Sequence, residues 1–229
     1  MQVQGTISEL SLIGGLPSAH IVCEAAVIPT PGQYLLAHEQ GSDAPLATEL
    51  FAAGYHLDGF IAAPPIRRDW RPGSVLNLRG PLGSGFHLPG DARRVALIAC
   101  NDDPSRLLPL AEVAVRRDAA VALVCGNPPS DLPLHLEIHP PRALVDVCTW
   151  ADYAAFDVEA RSVTQMVRAV SQGGGGLRAG ASAQALVRAS MPCGGLAACG
   201  VCTVRTARGP RLACLDGPVF DLRLLIPER

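Results

Sequence analysis

Hydrophobic residues between positions 3 and 90 come in short runs, at 19–28, 33–37, 59–63 and 75–78, separated by Pro-Gly pairs at 31–32 and 72–73. Runs of that length bounded by turn formers predict short antiparallel strands, and together a small β-barrel. The pattern changes at Arg93. An unbroken apolar run at 95–100 is followed by helical spacing over 104–117, through Leu107, Leu108, Ala111 and Val115, and by a second apolar run at 119–125. Strand, helix and strand within about 30 residues predict a βαβ unit in a parallel sheet. A further buried strand is expected over 142–148, and a helix over 159–171 with Asp157 as its cap. The stretch 172–180 contains four consecutive glycines, Gly173 to Gly176, and reads as a flexible linker. These breaks divide the chain into 1–91, 92–172 and 173–229. The expected class is α+β and multidomain, with an antiparallel barrel, an α/β Rossmann-like domain and a small C-terminal domain.

The composition supports a folded chain: of 229 residues, 48% are hydrophobic and 17% charged. All 19 basic residues are arginine and the net charge is −2, so a basic face for nucleic acid is not expected. No apolar run reaches the ~20 residues of a membrane helix, and the N-terminus lacks a signal peptide's charged start and apolar core. A cytoplasmic location is expected, and in a reducing compartment eight cysteines are thiols or ligands rather than disulfides.

Four of them, Cys23, Cys100, Cys125 and Cys148, lie singly in apolar runs and are expected to pack as small hydrophobes. Cys193, Cys199, Cys202 and Cys214 instead form Cys-x5-Cys-x2-Cys-x11-Cys, with Gly194, Gly195, Ala197 and Ala198 crowding the first loop and Gly200 just after it. Small residues let a backbone wrap an inorganic core and aim amides at sulfur. Zinc sites bring two tight cysteine pairs, and only Cys199 and Cys202 make one here. The plant-type 2Fe-2S spacing is Cys-x4-Cys-x2-Cys with a distant fourth cysteine, one residue shorter in its first loop. A 2Fe-2S cluster is the favoured reading, with zinc or a redox thiol set as alternatives.

This cluster, with Asp216-Gly217-Pro218-Val219-Phe220 just after it, resembles the electron-transfer subunit of NAD-linked dihydroorotate dehydrogenase. The resemblance implies a ferredoxin-reductase-type barrel, a nucleotide-binding α/β domain and a C-terminal 2Fe-2S domain, the order of regimes found above. Pro31-Gly32-Gln33, Arg71-Pro72-Gly73 and Gly80-Pro81-Leu82-Gly83 are similar to the family's barrel turns. It implies that Cys193, Cys199, Cys202 and Cys214 hold the cluster. Electrons would pass between an FMN-containing dihydroorotate dehydrogenase-like subunit of pyrimidine biosynthesis, in a hetero-oligomer, and an acceptor.

FAD is a candidate cofactor by the same resemblance. The family's Arg-Pro-aromatic-Ser/Thr stretch falls at 43–54, where Pro45 and Thr48 match its proline and hydroxyl while Ala44 stands at the arginine. Aligning Phe51 instead puts Glu49 at the arginine and Ala52 at the hydroxyl. NAD is not expected. Asn101-Asp102-Asp103 replaces the glycine-rich turn that lets a backbone approach pyrophosphate, and the family's late Cys-Gly-Pro element has no counterpart in 145–158. The alternative function is an iron-sulfur adapter with a degenerate reductase fold that binds neither nucleotide. Of six histidines only His135 and His139 are close, and the prolines around them predict loop and surface. Trp150 and Tyr153 are expected to pack, and no Ser/His/Asp or Cys/His set is visible.

Overall fold

The computed structural model describes residues 2–130, 132, 136–172 and 176–225. Six strands close the N-terminal barrel: β1 Gln2–Ile13, β2 Leu16–Cys23, β3 Tyr34–Glu39, β4 Thr48–His56, β5 Gly59–Ala62 and β6 Val75–Leu82. They run in the ring order β1-β2-β5-β4-β3-β6, every neighbour antiparallel. Its interior is packed by Ile7, Ile21, Leu35, Leu50, Phe60, Trp70, Leu76 and Leu78.

The chain then enters an α/β unit through β7 Arg94–Ala99, α1 Leu108–Val115, β8 Ala120–Val124, β9 Leu136–His139, α2 Leu144–Trp150, β10 Tyr153–Glu159, α3 Val163–Gln172 and β11 Ser182–Arg188. The C-terminal stretch adds the β12 Thr203–Thr206 and β13 Gly209–Leu212 hairpin, α4 Ala213–Asp216, β14 Val219–Asp221 and α5 Leu222–Leu225. The six-stranded sheet has the order β14-β11-β10-β7-β8-β9, parallel except for β14. It therefore runs past residue 172 and takes two strands from the 173–229 segment.

Burial on both faces explains the unbroken apolar runs of this sheet. Val95, Leu97 and Ala99 of β7 face one core with Leu107, Leu110 and Ala111. Ala96 and Ile98 face another, shared with Phe156, Met166, Cys202, Cys214 and Phe220.

Three sequence expectations are corrected here. The strand expected over 142–148 is a 3-10 turn at Pro141–Ala143 leading into helix α2. Pro141 presets φ for a helical start, and Leu144, Val147 and Cys148 share a face at helical spacing although they read as one apolar run. The helix expected over 159–171 starts later, at Val163, and Asp157 is no cap: it lies within β10, 1% exposed. Its carboxylate is held by Arg188 Nε at 2.7 Å and Arg106 Nη1 at 3.5 Å, so a buried ion pair accounts for the charge. Gly173–Gly175 of the expected linker and His135 of the histidine pair lie outside the described residues. His139, expected in a loop, ends β9 opposite Val124 and meets Glu137 at 3.1 Å.

Cys125 and Cys148 are buried as expected, whereas Cys23 is half-buried and Cys100 exposed where β7 ends. Tyr153 is fully buried, its hydroxyl donating to Gln184 Oε1 at 2.7 Å, and Trp150 is half-buried with the Arg94 guanidinium 6.0 Å from its ring centre.

Candidate metal centre

Between β11 and β12 the chain turns through residues 189–202, with left-handed backbone at Gly194, Gly195, Ala197 and Gly200. Glycine relieves the Cβ clash at three of these four positions. The winding brings the loop that holds Cys193, Cys199 and Cys202 against Tyr34, Leu36 and Arg79 of the barrel, and α4 adds Cys214. The four sulfurs arrive as two pairs. Cys202 and Cys214 are buried, with Sγ atoms 3.4 Å apart, and Ala213 N donates to Cys202 O at 3.0 Å. Cys193 and Cys199 lie nearer the surface and hydrogen-bond each other.

The loop amides point inward. Those of Ala198, Cys199 and Leu196 address the Cys193 sulfur, and that of Ala197 addresses Cys214. The Ala198 amide, then the Cys199 thiol and amide, pull the Cys193 thiol down to about 6, so it is a thiolate at neutral pH. Burial, then the Cys202 thiol, pushes Cys214 up to about 11. A metal would have to displace that proton.

The barrel supplies the floor. Arg79 donates to Gly194 O, and Met191 N donates to Glu49 Oε1 at 2.8 Å. Burial is the main cause that raises the Glu49 carboxyl above the usual range. Tyr34 of β3 is fully buried, and its hydroxyl has no hydrogen-bond partner among the described residues. Burial, then the negative charge of Cys214, holds the phenol far above its ordinary range, so it remains a donor. A Cβ on Gly195 would come within 2.9 Å of that hydroxyl. An unpaired buried donor beside two thiols suits a site built around anionic sulfur.

The Gly80-Pro81-Leu82-Gly83 turn docks this tail to the barrel. Ser84 N donates to Gly217 O at 2.6 Å, and a Cβ on Gly83, where φ is +73°, would lie 2.4 Å from Pro218 Cδ. That contact explains why the turn and the Asp216-Gly217-Pro218 tail need small residues together.

Beside the cysteine loop lies a cleft of about 630 Å³ between β4, the Pro64-Pro65 segment and the ends of β10 and β11. Glu49, Phe51, Arg106, Glu159, Arg161, Arg188 and Val201 line it. Pro45 is exposed ahead of β4, Thr48 pairs with Ala37 at the start of β4, and neither reaches the cleft lining. Sequence reasoning missed Arg106 and Arg188, because their partner Asp157 is 51 and 31 residues away. Each cleft arginine already has a carboxylate partner: Arg106 pairs with Asp103 and Asp157 and donates to Pro64 O, Arg188 pairs with Asp157, and the exposed Arg161 pairs through Nε with Glu159, while Arg106 Nε has no partner among the described residues.

At the end of the parallel strands Asp103 accepts from Ser105 N at 3.0 Å, and Asp102 accepts from Gly126 N at 2.8 Å. Backbone amides of this kind are the donors a pyrophosphate would use, and the chain's own carboxylates take them.

Several solved structures share the fold. An NADH-dependent reduced ferredoxin-NADP oxidoreductase of flavin-based electron bifurcation aligns at a TM-score of 0.70 with 15% identity, over 96% of this chain and 88% of its own. The ferredoxin reductase of carbazole 1,9a-dioxygenase in its FAD apo form aligns at 0.62 with 19% identity, over 80% and 66%. The flavohem-like FAD/NAD binding domain of nitric oxide dioxygenase from Vibrio cholerae O1 biovar El Tor aligns at 0.56 with 13% identity, over 81% and 98%. No curated protein matches the sequence. These likenesses show a ferredoxin-reductase fold, and residues 189–226, which hold all four clustered cysteines, match the iron-sulfur cluster binding domain of dihydroorotate dehydrogenase B.

Proposed function

We propose that the chain is an electron-transfer subunit that holds a 2Fe-2S cluster on the thiolates of Cys193, Cys199, Cys202 and Cys214. The observation that carries this reading is the pairing of the sulfurs. A single tetrahedral zinc 2.3 Å from each sulfur needs all four about 3.8 Å apart. Among the described residues the three-donor group gathered within 4.8 Å is His20, His56 and Asp58, and not three of these cysteines. Two separate pairs suit two irons, with Cys202 and Cys214 on the buried one and Cys193 and Cys199 on the outer one.

Such a cluster supplies one-electron redox chemistry. The chain's residues set its surroundings: loop amides neutralise charge on sulfur, Tyr34 offers a hydroxyl from the barrel, and Val201 brings the loop to the cleft edge. Substrate chemistry then belongs to a partner, which we propose is an FMN-containing dihydroorotate dehydrogenase-like subunit in the cytoplasm. That assignment rests on the match of residues 189–226. An isoalloxazine ring of FAD would enter the cleft against Phe51, with Pro45 and Thr48 outside it.

One set of contacts favours the second reading, an adapter that binds neither FAD nor NAD. The cleft arginines that would meet phosphate already pair with Asp103, Asp157 and Glu159, and the carboxylates of Asp102 and Asp103 take the Gly126 and Ser105 amides. Absorption and EPR spectra with iron, zinc and flavin analysis of anaerobically purified protein test both. Two irons per chain and an EPR signal after dithionite are expected, both lost in Cys202→Ser. One zinc and no iron would refute the cluster, and iron with no flavin would select the adapter.

A further inference from the structure

The barrel carries a second group of ligand atoms, on residues that the iron-sulfur reading does not use. His20 lies on β2, His56 ends β4 and Asp58 sits in the turn to β5. In the ring order β2 is three strands from β3 by either path, so His20 lies across the barrel from Tyr34. One ligand atom from each of the three residues falls within 4.8 Å of the others.

The hydrogen bonding of His20 makes this group unusual. Ser8 Oγ lies 2.8 Å from His20 Nδ1 and 3.3 Å from the His20 carbonyl oxygen. The Ser8 hydroxyl reaches both, and in one arrangement it donates to the carbonyl while Nδ1–H donates to Oγ. That tautomer leaves a lone pair on Nε2. Nε2 is shut off from solvent and makes no hydrogen bond among the described residues, yet it lies 3.2 Å from Asp58 Oδ1. In that tautomer the two atoms are both acceptors, and a cation between them relieves their repulsion; in the other, Nε2 carries its hydrogen toward the carboxylate.

The spacing also suits a metal. Donors about 2.0 to 2.1 Å from a tetrahedral ion are about 3.3 Å apart, close to the 3.2 Å between His20 and Asp58. The His56 ring is 4.4 Å from that of His20, centre to centre, and is exposed, so a side-chain rotation brings its nitrogen into the same sphere. Ser8 plays the outer part, accepting from Nδ1–H in the tautomer that presents Nε2.

We propose that His20, His56 and Asp58 form a binding site for a divalent transition ion of zinc type, with at least one coordination position open to water. Two imidazoles and a carboxylate favour zinc, nickel or cobalt over calcium or magnesium. The half-exposed Asp58 and exposed His56 leave the ion exchangeable rather than sealed as a structural centre.

Zinc titration of the full-length, cluster-loaded protein against a competing chelator tests the site. The wild-type protein is expected to bind one zinc, with affinity at least ~10-fold weaker in His56→Ala and Asp58→Asn and ~10-fold weaker in Ser8→Ala. Cys23→Ala should bind as wild type does; burial, then the nearby Asp58 charge, raises the thiol of the half-buried Cys23. Long-range nitrogen NMR should show a single protonated nitrogen on His20, with zinc moving the His20 and His56 signals. Equal affinity in wild type and His56→Ala overturns the site, as does zinc uptake lost only in Cys23→Ala. A His20 ring protonated on both nitrogens and blind to zinc also overturns it, because the pair is then an imidazolium–carboxylate contact. Metal at the cluster cysteines would be unaffected by His56→Ala, which keeps this outcome separate from the iron-sulfur question.

Discussion

Tyr34 shows how one side chain joins the two halves of the molecule. Its ring packs on the outer side of the barrel 5.8 Å from Phe51, centre to centre, while its hydroxyl, near Cys214, has no hydrogen-bond partner among the described residues. A hydrogen bond from that hydroxyl to a cluster sulfur stabilises the reduced, more negative state more than the oxidised one. Tyr34→Phe should therefore lower the reduction potential while leaving two irons per chain. At about 1 kcal/mol for one hydrogen bond and 59 mV per tenfold change for one electron, the shift is roughly 40 mV. A redox titration followed by EPR measures it, and an unchanged potential would remove Tyr34 from the cluster's surroundings. The four cysteines were legible in the sequence because their spacing is local. Tyr34 and the His20, His56 and Asp58 group were not, because these residues meet only once the strands are paired into the closed barrel.

Elements tied by ion pairs form a second scale. Arg106, just ahead of α1, and Arg188, at the end of β11, both address Asp157 inside β10. Removing one member of a buried set leaves uncompensated charge, so Asp157→Ala should cost about 3 kcal/mol in denaturant unfolding. Asp152 clamps the other end of the sheet. Its carboxylate accepts from Arg93 N at 3.2 Å, Arg94 N at 3.1 Å and Arg94 Nη2 at 2.9 Å, with Arg178 also beside it. The hydrogen bond from Arg94 is the main cause that holds this carboxyl below its ordinary range. A depressed native value contributes stability in full above the unfolded value, about pH 4, and loses it as pH falls through the lower folded value. Asp152→Asn should thus be less stable at neutral pH by roughly 1 kcal/mol, a gap that closes toward pH 2. Equal acid unfolding curves for the two proteins would contradict this. The β7-α1-β8 unit was readable because apolar runs and helical spacing alternate cleanly there. Strand β10 was not, since Asp157 in its middle is polar in sequence and becomes compatible with a buried strand only through two arginines that local pattern cannot reveal.

At the scale of the whole molecule, barrel, sheet and tail share packing and are expected to unfold as one cooperative body. One hydrophobic core contains Tyr34, Leu36 and Phe51 of the barrel, Ala96 and Phe156 of the sheet, and Cys202, Cys214, Phe220 and Leu225 of the tail. Strand β14 pairs with β11, and the Gly83 turn of the barrel is sealed by Pro218. The cysteine loop is therefore wedged between the two larger units, and whatever orders it is coupled to their packing. A group bound by the folded state alone shifts the folding equilibrium toward that state. Reconstituting the cluster should accordingly raise the melting temperature of the entire chain. It should also protect the barrel and the sheet from limited proteolysis together, with one calorimetric transition in place of two. Loss of the cluster in Cys202→Ser should lower that single transition rather than split off a small early one. If the loaded and cluster-free proteins instead melt identically, with cleavage confined to residues near 189–202, the loop is an independent appendage. The shared core would then not transmit the effect of metal binding to the barrel.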